Sequence, residues 1–189
     1  MNPFEDLKNL EIRKRRLVWK PFMEKYDCQR ICELGVKAGV NFDRLIAHKP
    51  EVAVAVDIWK EDTDIARNDT GWKQERLDAL YEEFTERMKD KPYVKVIRDY
   101  THDVAERFPD EYFDFVFIDA DHSFKGVSQD IEDWYPKVKK GKFLFGHDFR
   151  IKKHRFGFRY GVMEAVTMFA KQNRLGFFVV PDMIWGIVK

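Results

Sequence analysis

Apolar positions along this chain alternate between two spacings, and the alternation predicts its elements. Strand-like runs fall at residues 30–34, 52–57, 93–97, 112–119, 142–147, 176–180 and 184–188. Helical stripes lie between them. Phe42, Leu45 and Ile46 form a short one, and Leu77, Leu80, Tyr81, Phe84 and Met88 a longer one. Val127, Ile131, Trp134 and Tyr135 form a third, and Val162, Ala165, Val166, Phe169 and Ala170 a fourth. Each would cover one face of a sheet. Strands alternating with helices predict an α/β fold: a doubly wound, seven-stranded, mostly parallel sheet. The tail departs from this rhythm. Residues 177–188 read as strand, Pro-Asp turn, strand, too short for a helical crossover, so the last strand is expected to be antiparallel. A further helix, residues 4–26, precedes the sheet.

At 189 residues one domain is expected, a helical segment over residues 1–27 and an α/β core over 28–189. No apolar run approaches the roughly 20 residues of a membrane span, and the charged start lacks the apolar centre of a signal peptide. A soluble, cytoplasmic protein is the expectation. Cys28 and Cys32 are too few for a disulfide framework and read as reduced, half-buried thiols. The net charge of +1 conceals asymmetry: residues 137–159 carry nine Lys or Arg and a single acid, Asp148. Most such runs are solvated surface, as is the default reading for Arg13-Lys14-Arg15-Arg16.

In an open parallel sheet, ligands collect at the carboxyl ends of the strands, near the point where strand order reverses. The residues there are informative. Glu33-Leu34-Gly35-Val36-Lys37-Ala38-Gly39 follows the first run, with glycines suited to a tight turn and a close ligand approach. It is not the G-x-G-x-x-G of dinucleotide enzymes, because Lys37 holds the middle position. Asp57 ends the second strand and is placed to accept from both hydroxyls of a ribose. Asp99 follows the third and can accept from an adenine amino group. Asp119-Ala120-Asp121-His122 ends the fourth.

With these motifs the chain resembles the class I S-adenosylmethionine-dependent methyltransferases, across about residues 29–189. The residues that carry the likeness are Cys32 to Gly39, Ala55-Val56-Asp57-Ile58-Trp59 and Phe117-Ile118-Asp119-Ala120-Asp121-His122. The likeness is strongest to macrolide-sugar O-methyltransferases and cephalosporin-hydroxylase-like proteins, which share an Asp-x-x-His and a later Gly-x-Asp pattern, here Gly146-His147-Asp148. It implies a Rossmann-like fold with S-adenosylmethionine as cofactor. Gly35 and Gly39 would surround the methionine moiety, and Glu33, Lys37 and, after Asp57, Ile58 would also contact the cofactor. Asp57 would hold the ribose, Asp99 and Tyr100 the adenine, and Asp119 would border the cofactor.

Methyl transfer from a sulfonium is an in-line displacement in which the protein mainly aligns the nucleophile. A hydroxyl acceptor must also lose its proton, to a base or with the help of a metal. Asp119, His147 and Asp148 are placed to converge on a divalent cation. Oxygen ligands favour Mg, and the imidazole shifts preference toward Mn and other transition metals. The metal-free alternative makes His122 or His147 the base, oriented by Asp119 or Asp121. The acceptor expected is a small molecule or saccharide. The mixed basic and aromatic segment 149–160 suits an anionic one, and nucleic acid is disfavoured by the near-neutral charge. Two rival classes remain: a non-catalytic protein that only binds the cofactor, and a nicotinamide-dependent oxidoreductase, which the missing glycine motif disfavours.

Overall fold

Alternate residues of the central strands enter two different hydrophobic layers, one on each side of a single sheet. The computed structural model describes residues 19–61, 72–150, 160–180 and 182–189. Its strands are β1 (Arg30–Leu34), β2 (Val52–Asp57), β3 (Val94–Arg98), β4 (Phe113–Ile118), β5 (Val138–Gly146), β6 (Phe177–Val180) and β7 (Ile184–Val188). Ile31, Ala53, Ala55, Phe115, Phe117, Phe143 and Phe145 face one layer. Cys32, Leu34, Val54, Val56, Val116, Ile118 and Leu144 face the other. Strands buried on both faces read as continuous apolar runs, which is why these segments carry so few polar residues.

The helices are α1 (Trp19–Lys25), α2 (Val40–Leu45), α3 (Gln74–Met88), α4 (Thr101–Ala105), α5 (Phe124–Trp134) and α6 (Val162–Gln172). α1 to α3 cover the first layer through Trp19, Phe22, Phe42, Leu80 and Phe84; α4 to α6 cover the second through Val104, Ile131, Trp134 and Val166. No stripe predicted α4, whose single turn is too short to show one. Among the described residues no helix is long and apolar enough to cross a membrane.

The strand order is β3-β2-β1-β4-β5-β7-β6. β1 to β5 pair in parallel, and β7 runs antiparallel to both β5 and β6. The reversed strand is therefore last in the chain but not at the sheet's edge. β5 begins four residues before the predicted run: Lys139, Lys140 and Gly141 look like a turn, yet their backbone continues the strand and Gly141 N–H donates to Lys189 O at 2.7 Å. Cys28 and Cys32 are fully buried rather than half-buried, because both lie inside the hydrophobic layers. Most of the predicted first helix, with Arg13 to Arg16, and residues 151–159 of the basic segment lie outside the described residues.

Candidate active site

Order reverses between β1 and β4, whose neighbours β2 and β5 lead away in opposite directions. The backbone ladder continues past each strand end there. Gly35 N–H donates to Val56 O, Asp119 N–H to Leu34 O, Asp99 N–H to Asp57 O and His147 N–H to Ile118 O, at 2.8–3.1 Å. These bonds set the loop residues along one rim. The rim opens into a cavity of about 990 Å³ that runs from Asp99 and Tyr100, past Asp57 and Gly35, to His122, Asp148 and Tyr160.

Gly35 stands where β1 passes closest to β4. Its φ is +83°, and a Cβ would sit 2.2 Å from the carbonyl oxygen of Asp119. Only glycine meets both conditions. Lys37 occupies the left-handed region at φ +56°, where a side chain is normally disfavoured. Three contacts hold it there: its N–H donates to Asp57 Oδ2 at 2.8 Å, its carbonyl accepts from Trp59 Nε1 at 2.9 Å, and its ammonium lies 4.2 Å from the Trp72 ring centre. The lysine in the glycine's expected place thus keeps the loop's turn. Gly39, by contrast, does not line the cavity. It gives room to the Phe84 ring, 2.4 Å from where its Cβ would be.

The other eight expected cofactor residues, Glu33, Gly35, Lys37, Asp57, Ile58, Asp99, Tyr100 and Asp119, all line the cavity. Asp57 accepts from Lys37 N–H through Oδ2 and from Trp59 N–H through Oδ1. Burial raises its carboxyl above the usual range, against the pull of the Trp59, Lys37 and Val36 amides. Asp99 is already engaged: Arg107 pairs with Oδ2 and Tyr100 N–H donates to Oδ1. The Arg107 hydrogen bond comes first in holding its carboxyl low. An adenine amino group would share these oxygens.

At the far end two carboxylates and two imidazoles meet. His122 Nε2 lies 3.1 Å from Asp148 Oδ2 and 3.4 Å from Asp119 Oδ1. His147 Nδ1 lies 3.4 Å from Asp148 Oδ2 and 3.7 Å from Asp119 Oδ1, while its Nε2 is buried without a hydrogen-bond partner. Burial raises the Asp148 carboxyl, but hydrogen bonds and charge from His122 and His147 outweigh it and hold the group well below the usual carboxylate range. Arg150 forms an ion pair with Asp148 Oδ1, without the alignment of a hydrogen bond. Asp148 itself sits at φ +58°, strain of the kind that concentrates at functional sites. Ligand atoms of Asp119, His122 and Asp148 all lie within 4.8 Å of one another, which suits a divalent cation. His122 joins that group, and the Nδ1 of His147, the strand-end choice, lies within 3.7 Å of both carboxylates as well. Asp121 lines the cavity and accepts from the Ser123 N–H and hydroxyl, and Ser123 caps α5.

Sequence reasoning missed several cavity residues. Asn41, Trp59, Trp72 and Asp130 all border it. Asp130 lies beside the apolar stripe of α5 and is buried next to Thr101, whose hydroxyl donates to it at 2.5 Å. Tyr160 stacks on His122 with ring centres 4.8 Å apart, forming a wall of the histidine corner.

The fold and the rim place this chain among α/β proteins with a cavity at the switch point of the sheet. A family model described as a methyltransferase domain matches residues 32–149, and the chain belongs to that family, as a class I S-adenosylmethionine-dependent methyltransferase. Solved structures agree in fold. An O-methyltransferase from Bacillus cereus in complex with S-adenosylhomocysteine (SAH) is 15% identical, with a TM-score of 0.63 over 99% of this chain and 90% of that one. An SAH-bound methyltransferase from Podospora anserina is 11% identical, with a TM-score of 0.65 over 98% and 85%. An S-adenosylmethionine-dependent methyltransferase from Aquifex aeolicus is 14% identical, with a TM-score of 0.54 over 99% and 97%. No curated protein matches the sequence.

Proposed function

We propose that the chain transfers a methyl group from S-adenosylmethionine to a hydroxyl of a small-molecule or saccharide acceptor. The observation that carries this is the continuity of the cavity: one space connects the Asp57–Asp99 end to the Asp119–His122–Asp148 corner. A cofactor with its ribose on Asp57 and its adenine near Tyr100 would lie along the rim at Gly35. Its methyl group would then face the corner, where an acceptor hydroxyl can be deprotonated.

Within the corner the roles divide by geometry. His122 lines the cavity and is braced by Tyr160 on its face and by two carboxylates at Nε2, a fitting arrangement for a general base. His147 turns Nδ1 toward the same carboxylates and buries Nε2, so it serves better to hold Asp148 in place. The donor set of Asp119, His122 and Asp148 also fits Mg or Mn. Such an ion would lower the pKa of the acceptor hydroxyl. Lys125 borders this end of the cavity and Arg150 pairs with Asp148 beside it, and an anionic acceptor would draw on these two cations.

Calorimetric titration with SAH, with and without Mg and Mn, tests the reading. Saturable binding by the wild-type chain, lost in Asp57→Ala, is the expected result. A folded chain that ignores SAH and binds NADH would overturn it.

A further inference from the structure

Glu33, the residue before the end of β1, lies on the cavity wall, and the group that holds it belongs to a relay from the helix before the sheet. Trp19 of α1 donates its indole Nε1–H to Asn41 Oδ1 at 3.1 Å, and Asn41 Nδ2 donates to Glu33 Oε1 at 2.7 Å. All three side chains are buried. The chemistry allows one orientation. An indole nitrogen only donates, so it draws the amide oxygen toward Trp19 and leaves the amide NH₂ facing Glu33. That NH₂ also only donates, so Glu33 Oε1 meets a donor. Trp19 is locked in turn by edge-on contacts with Phe115, Phe117 and Phe145, at 5.3, 5.4 and 5.7 Å between ring centres.

We propose that Trp19 and Asn41 are positioning residues that hold Glu33 as an oriented carboxylate for the ammonium of the cofactor's amino-acid arm. The helix ahead of the sheet then sets cofactor affinity without touching the cofactor. This rests on the cofactor reading above. Glu33 suits the role because it lies two residues before Gly35 and lines the same cavity.

The test uses two ligands and the full chain. SAH carries the amino-acid arm but no sulfonium charge. 5′-Deoxy-5′-methylthioadenosine keeps the nucleoside and sulfur and lacks the arm. Trp19→Phe keeps an aromatic ring and removes the donor. Asn41→Asp, of equal size, still accepts from Trp19 but turns an oxygen toward Glu33. Each substitution is expected to raise the Kd for SAH about tenfold, as for a lost hydrogen bond to a charged group. The Kd for the arm-less ligand should stay within about twofold. Unchanged SAH binding overturns the proposal. Equal weakening of both ligands also overturns it, since that marks a merely structural defect. If Trp19→Phe does not fold, Asn41→Asp decides between these outcomes. A wild-type chain that binds neither ligand fails the cofactor reading itself and takes the relay with it, a result distinct from variants that match a binding wild type.

Discussion

Gly35 and Gly141 have almost the same backbone angle and very different surroundings, so an alanine at each separates conformational strain from steric collision. Their φ values are +83° and +74°. Placing an L-residue in the left-handed region costs about 1–2 kcal/mol, offset by about 0.4–1 kcal/mol from a stiffer unfolded chain. A Cβ at Gly141 meets no heavy atom within 4 Å, so Gly141→Ala should cost no more than about 1.5 kcal/mol. At Gly35 the same atom would lie 2.2 Å from Asp119 O, 2.5 Å from its carbonyl carbon and 2.6 Å from Ala120 Cα. All three are backbone atoms, so relief requires the β1 and β4 ends to separate. The Asp119 N–H to Leu34 O bond at 2.8 Å resists that movement. Overpacking of this kind adds about 1–3 kcal/mol, for a total of about 1–4.5 kcal/mol in Gly35→Ala. Urea denaturation would measure both stabilities, and SAH calorimetry both affinities. Gly141→Ala should bind as the wild type does, while Gly35→Ala should bind at least about tenfold more weakly. Equal stability and equal binding in the two variants would refute the reasoning.

The buried Asp130 carboxyl is pushed up to about 7, by burial first and then by Asp121 and Asp133, against the Thr101 hydrogen bond. Its unfolded value is about 3.9, so the folded state keeps the proton longer and stability falls as pH rises from about 4 through about 7. Asp130→Asn should remove this slope and exceed the wild type at pH 8 by about 1–3 kcal/mol; parallel urea profiles at pH 5 and 8 would count against it. Asp114 has the opposite sign. Burial raises it, but Lys139, the Arg30 amide and Lys142 together hold it low, so its stabilisation is present above about pH 4 and is lost as pH falls through the depressed folded value. Asp114→Ala leaves the Gln29 and Arg30 amides without their acceptor and should cost about 2–4 kcal/mol at neutral pH, read from the denaturation midpoint. Burial pushes the Cys28 thiol up to about 12 and raises Cys32 as well. Both should resist a thiol-reactive chromophore at pH 8 until urea unfolds the chain, and prompt labelling of the native protein would contradict their burial.

Six of the seven strand runs lie within a residue or two of the observed strands, because a strand buried on both faces needs nearly every residue to be apolar. The acids at the strand ends were legible for a related reason. Parallel strands bring all their carboxyl ends to one edge, so Asp57, Asp99 and Asp119 share a rim once the strands are known. What side chains do after leaving the backbone is another matter. His122 joins the close group with Asp119 and Asp148, and this depends on how the loop after β4 folds over the end of β5. Arg107 reaches Asp99 from the turn beyond α4, and Asp130 is buried where α5 packs against α4. The placement of β7 between β5 and β6 was likewise set by the pairing of the folded sheet. The chain's pattern of apolar and polar positions alone determined the sheet and the row of acids along its edge, since both follow from backbone periodicity. The pairings that give each acid its charge, partner and role were decided only in three dimensions, where groups such as Trp19, Asn41 and Glu33 meet across many residues of sequence.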